Sequence, residues 1–188
     1  MGQMRLIPAE QRTRPPMSLL SRLFGPRPDD RAAVRPLWHR VVEIAREPHW
    51  YARGGIADSV AGRFDAITLV LALVLLRMER DPELAQPMAR LAELFVEDMD
   101  GQLRESGVGD MVVGKHVGRL MSTLGGRLGA YREGLAAPDT EVLADAVARN
   151  VTLHDGQGAD AVVAALRQLA AALDTLDSAA LLAGKIAR

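Results

Sequence analysis

The sequence predicts an all-α fold: one compact bundle of about six or seven helices around a central helix, residues 62–79, that is buried on every side. Three observations lead there. No segment alternates apolar and polar residues with a period of two, whereas apolar residues recur every three or four positions along most of the chain. From Ala66 to Leu76 only Thr68 interrupts the aliphatic residues. That run is too short for a bilayer, which needs about 20 predominantly apolar residues, and extending it backwards meets Asp65 and Arg63. A helix that is apolar all round and does not cross a membrane belongs in the centre of a helical body.

Composition agrees. At 188 residues the chain is long enough to bury a real core. Aromatics make up only 4%, so Leu, Val, Ala and Met must fill the interior. The net charge of −1 gives no overall drive toward nucleic acid, but it is unevenly spread. Residues 1–40 carry eight arginines against Glu10, Asp29 and Asp30, a local charge of +5. With no cysteine there are no disulfides, thiolate metal sites or cysteine nucleophiles. The first residues lack an uninterrupted apolar core, so no signal peptide is read and the expected location is cytoplasmic.

Residues 1–28 read as a disordered or loosely docked basic segment, and residues 29–184 as the folded domain. Met17 opens a sequence, MSLLSRLFGP, with the character of a natural start, which would make residues 1–16 an upstream extension. Leu19, Leu20, Leu23 and Phe24 share one helical face, either against a membrane surface or as a frayed cap on the core. Asp29 or Asp30 caps a helix running to about Glu47, with Val34, Leu37, Trp38, Val41, Val42 and Ala45 on its apolar face. Pro48 ends it and Gly54-Gly55 turns the chain into the central helix.

Asp81-Pro82-Glu83 caps the following helix, which Pro87 kinks or restarts, and which ends near Ser106. Gly107 to Asp110 is a tight connection with Asp110 as N-cap. The helix over 111–135 then carries a ridge of small residues, Gly114, Gly118, Ser122, Gly125, Gly126 and Gly129, beside an apolar stripe of Val113, Val117, Leu120, Leu124, Leu128 and Tyr131. Each interior glycine costs roughly 1 kcal/mol against alanine, and close approach of another backbone is the natural offset. Pro138-Asp139 opens a helix to about Val151, and one alanine-rich helix covers about 159–184.

Several pieces in order resemble the ubiquinol–cytochrome c chaperone family. They are Pro48-His49-Trp50-Tyr51, Gly54-Gly55, Asp58, Gly62-Arg63-Phe64-Asp65 with the aliphatic helix, Phe95 to Asp100, Leu103-Arg104-Glu105, Gly107 to Asp110, Val113-Gly114-Lys115, and Ala148-Arg149-Asn150-Val151. The resemblance covers about residues 30–152. It implies an assembly factor rather than an enzyme, without cofactor or metal. Its client would be cytochrome b or another subunit of respiratory complex III, as for the family's mitochondrial members, which act near the ribosome and the inner membrane. The basic N-terminal part would then sit against anionic lipid or ribosomal RNA, both of which reward clustered arginine. The partner contacts it suggests, together with the ridge, are His49, Trp50, Tyr51, Gly54, Gly55, Asp58, Arg63, Asp98, Asp110, Gly114, Lys115, Gly118 and Gly125.

The same residues have plainer readings. Trp50 and Tyr51 form a contact surface or pack over the end of the central helix. The ridge receives a client's apolar helix, as small-xxx-small contacts do, or packs on another helix of the same domain. Glu93, Glu97, Asp98 and Asp100 bind a cation, face solvent, or pair with arginine, for which Arg63 and Arg104 are the candidates. Arg63 and Asp65 can also be an internal pair. His39, His49, His116 and His154 are scattered, against a metal site, and Gly107 and Gly109 lack the context of a phosphate loop. Two other functions remain open: a helical small-molecule or lipid-binding protein, which requires an enclosed cavity, and a metal enzyme using the acidic cluster.

Overall fold

The structure is a computed structural model. It describes residues 31–105 and 110–187, with the backbone alone over 102–105 and 110–117. The N-terminal segment, with the Leu19–Phe24 face and the Asp29 and Asp30 caps, lies outside the described residues, as do the Gly107–Gly109 connection and the side chains of Asp110, Gly114 and Lys115.

Among the described residues eight α-helices follow in order: α1 (Arg35–Ala45), α2 (Pro48–Ala52), α3 (Val60–Met78), α4 (Ala85–Glu105), α5 (Asp110–Ala136), α6 (Glu141–Asn150), α7 (Asp160–Asp174) and α8 (Ser178–Leu182). A single 3-10 turn, Pro82–Leu84, leads into α4. The fold is all-α. Among the described residues the only β-pairing is an isolated antiparallel bridge between Ile56 and Leu153, flanked by Ala57 N–H to Thr152 carbonyl and His154 N–H to Gly55 carbonyl, both 2.9 Å.

α3 is the central helix. The Ser59 hydroxyl caps it, accepting from Gly62 N–H at 3.1 Å, and every residue from Asp65 to Leu76 is buried. Helices α1, α4, α5 and α7 surround it, so each aliphatic side chain finds a wall whichever way it points. Full burial of one such side chain contributes about 1.5–3 kcal/mol. α1 lays Leu37, Trp38, Val41, Ile44 and Ala45 on this core, and Trp38 meets Phe95 of α4 edge to face, with ring centroids 6.1 Å apart.

Several boundaries differ from the sequence reading. α1 has Val34 at its N-cap with no side-chain cap, and Pro36 in its first turn, where a missing N–H costs nothing. Residues 48–52, expected to break the chain path, form the short helix α2. Pro87 falls within the first turn of α4 for the same reason as Pro36, and α4 continues through it. The single helix expected over 159–184 is two. Arg77 Nη2 donates to the Leu176 carbonyl at 2.7 Å, Asp177 caps α8 by accepting from Ala180 N–H at 2.7 Å, and the Ser178 hydroxyl donates to Asp81. These contacts hold the bend between α7 and α8 against the end of α3. Gly184 then adopts a left-handed φ of 68° beside the Pro36 carbonyl, and Arg40 donates to the Ile186 carbonyl at 3.0 and 3.3 Å.

Candidate functional site

The aromatic–glycine segment is built into the bundle rather than presented on it. Trp50 is fully buried, and its indole N–H donates to the Ile44 carbonyl at 2.8 Å. The half-buried Tyr51 donates its hydroxyl to the Ala45 carbonyl at 2.8 Å. Both aromatics therefore tie α2 to the carbonyl end of α1, and the contact-surface reading of Trp50 fails because no part of the side chain is available. Gly54 and Gly55 are buried as well. A Cβ on Gly54 would fall 2.4 Å from the Trp50 carbonyl oxygen, and Gly55 has a φ of 73° with Gln157 against it. These glycines are demanded by the turn.

His49 is half-buried, its ring 4.5 Å from that of Trp50. Burial, aided by the Arg53 charge, pushes its pKa down, and Nδ1 lies 3.6 Å from the Glu47 carboxylate. It lines an open groove of about 450 Å³ between α2, α7 and the segment after α8, with Glu47, Arg53, Gln168, Leu169 and Ala187 among its walls. Asp58 and Arg63 are exposed and paired at 2.7 Å. The Arg63 hydrogen bond holds the Asp58 carboxyl below the ordinary carboxylate range. Arg63 is thus neither internal nor a partner of Asp65.

The partner of Asp65 is Arg127 of α5. Both are buried, and Arg127 Nη2 donates to Asp65 Oδ1 at 2.5 Å. Arg127 Nη1 donates to the Thr68 hydroxyl, and the guanidinium carbon sits 5.5 Å from the centroid of the Phe64 ring. The other carboxylate oxygen, Oδ2, accepts from the Thr152 backbone N–H at 2.8 Å and from its hydroxyl at 2.7 Å. One carboxylate thereby joins α3, α5 and the segment after α6. Tyr131, one turn beyond Arg127, is fully buried, and burial pushes its phenol pKa up to about 12.

Sequence reasoning named Asp65 but missed Arg127, Thr152 and Tyr131 as its surroundings. A signal was present: Arg127 lies in register with Leu124 and Tyr131, three residues before it and four after it, in a stripe otherwise apolar.

On α4, Arg31 pairs with Glu93 at 3.4 Å and with Glu97, and Arg90 pairs with Glu93 at 3.0 Å. Arg31 and Arg90 thus serve the Glu93 and Glu97 carboxylates of the acidic patch. Arg63 is engaged elsewhere, and the side chain of Arg104 lies outside the described residues. Asp98 is exposed on the same helix. Among the described residues no group of three or more His, Asp and Glu is placed to hold a metal ion, and no helix is long and apolar enough to cross a membrane.

The outer face of α5 has another character. Gly118, Gly125 and Gly126 are exposed, and a Cβ on any of them, or on Gly129, would meet nothing within 4 Å. Met121, 43% exposed, lies along the edge of this face. Among the described residues no other helix packs on the ridge at these four positions. The expected packing occurs instead at Gly134, where a Cβ would lie 2.7 Å from Leu143 Cα of α6.

These features define an all-α bundle with a hydrogen-bonded ion pair at its centre and an open, small-residue face on its longest helix. The chain belongs to the ubiquinol-cytochrome C chaperone family, whose model matches residues 52–188. That match starts later than the resemblance read from the sequence and continues through α7 and α8. The fold is similar to that of the crystal structure of the Cbp3 homolog from Brucella abortus, at 32% identity and a TM-score of 0.73, over 84% of this chain and 89% of that one. No curated protein matches the chain.

Proposed function

We propose that this protein is an assembly chaperone that binds cytochrome b while the ubiquinol–cytochrome c reductase complex is built, and that it performs no catalysis and carries no cofactor. The observation that carries the reading is the family match over residues 52–188. In this proposal the folded domain, 29–184, holds the client, and the basic segment before it makes peripheral contact with the inner membrane or the ribosome from the cytoplasmic side.

The client-binding face would include Gly118 and Gly125, continuing along α5 toward Lys115, Gly114 and Asp110. Asp98, Asp58 and Arg63 would act as polar contacts at its margins. Small residues let two helix backbones approach closely, and a respiratory membrane subunit offers apolar helices to fill such a face. The glycines here lower the stability of α5 without making room for any described neighbour in the chain, so a role outside the fold accounts for them.

Deleting the gene and measuring assembled complex III and cytochrome b tests the role; unchanged levels of both would refute it. Gly118→Leu and Gly125→Leu test the face. Their side chains enter open space, so the variants should melt no lower than the parent and should lose co-purification of cytochrome b. Full client recovery by the folded double variant would move the contact elsewhere.

A further inference from the structure

Within the polar centre two atoms are left over. Tyr131 is fully buried, and its hydroxyl has no hydrogen-bond partner among the described residues. Arg127, 7% exposed, spends Nη1 on Thr68 and Nη2 on Asp65, while its Nε–H has no acceptor among the described residues. The two residues stand four apart on the inward side of α5, so both orphans belong to one helix face and one region of the core. Buried polar atoms in native proteins are almost always satisfied, by protein or by ordered water. A guanidinium N–H shut away from solvent with nothing to receive its proton is especially unfavourable.

We infer that a structural water molecule occupies the core between α3 and α5, accepting from Arg127 Nε–H and hydrogen-bonded to the Tyr131 hydroxyl. A buried water makes two to four hydrogen bonds, typically three. The donor and the hydroxyl supply two. The Asp65 carboxylate belongs to the same cluster, and its Oδ1 accepts from Arg127 Nη2. The water extends the Asp65–Arg127–Thr68–Thr152 cluster by one turn of α5. It also explains why a tyrosine occupies a position where phenylalanine would fill the same apolar space: the hydroxyl is half of a water site.

The test is a crystal structure of the intact chain at a resolution that shows ordered solvent, paired with water-relaxation dispersion in solution. The expected result is one density peak within hydrogen-bond distance of both Arg127 Nε and Tyr131 Oη, and a long-lived internal water in the dispersion profile. Tyr131→Phe should lose that water from both measurements and lower the melting temperature by a few degrees. If the parent crystal shows the Tyr131 hydroxyl bonded directly to Arg127 or Asp65, or the region dry, the inference is overturned. Retention of the dispersion signal by Tyr131→Phe overturns it equally. Should Tyr131→Phe fail to fold, the parent crystal and parent dispersion decide the matter alone.

Discussion

On the outer face of α5, Gly118, Gly125 and Gly126 meet no neighbour among the described residues; near the end of the same helix, Gly134 lies against α6 with no room for a methyl group. Gly54 and Gly62 resemble Gly134, since a Cβ there would fall 2.4 Å from the Trp50 carbonyl oxygen and 1.9 Å from the Ala57 carbonyl oxygen. One set of glycines is required by packing and the other is not. The same helix carries, on its inward side, Leu124, Arg127 and Tyr131, all buried. The difference separates what holds this fold together from what the fold leaves exposed.

The strongest way to break the inward side is to truncate the ion pair. Arg127→Ala strands the Asp65 carboxylate in the core, and loss of about 3–5 kcal/mol in urea unfolding is expected. Replacing the pair together, Asp65→Leu with Arg127→Met, should recover most of it, because the stranded charge then disappears. Next come the crowded glycines. Gly62→Ala and Gly134→Ala must push backbone or the Leu143 side chain aside, at about 1–3 kcal/mol each.

The buried phenol gives a pH signature of comparable size. Below pH 10 folded and unfolded chains both keep the Tyr131 proton. Above it the unfolded chain releases the proton while the native state holds it to about 12. Stability is therefore full below pH 10 and falls as pH rises, by about 2–3 kcal/mol from this group, and Tyr131→Phe should flatten that part of the curve. The smallest effect has the opposite sign. Gly125→Ala, on the open side, should raise stability by about 0.5–1 kcal/mol; a loss there would mean that the outer glycines serve packing after all.

What the sequence made legible was local periodicity. The central helix was read over 62–79 and lies at 60–78, and the glycine-bearing helix was read over 111–135 and lies at 110–136, because each carries an unbroken apolar pattern. The bend at 175–177 was not legible. Its causes, Arg77 and Asp81, sit about a hundred residues earlier, and the local sequence is a continuous helix former. The centre was half legible for the same reason: Asp65 stood out against its aliphatic neighbours, but Arg127, 62 residues away, looked like one arginine among many. The aromatics misled in another way. Trp50 beside two glycines fits a binding loop and a tight turn equally well, and only the Ile44 carbonyl, reached by a change of direction at Pro48, decides between them.

The aliphatic rod α3 owes its cover largely to helices that come after it, α5 and α7. During synthesis the run from Ala66 to Leu76 leaves the ribosome long before residue 173 exists to shield it. Of the helices packed on α3, only α1 precedes it, and a nascent chain in this state exposes an aggregation-prone apolar stretch. Expression slowed late in the message, or truncation before α7, should therefore send this protein into aggregates. A chaperone of this design needs its own shelter while it is being made.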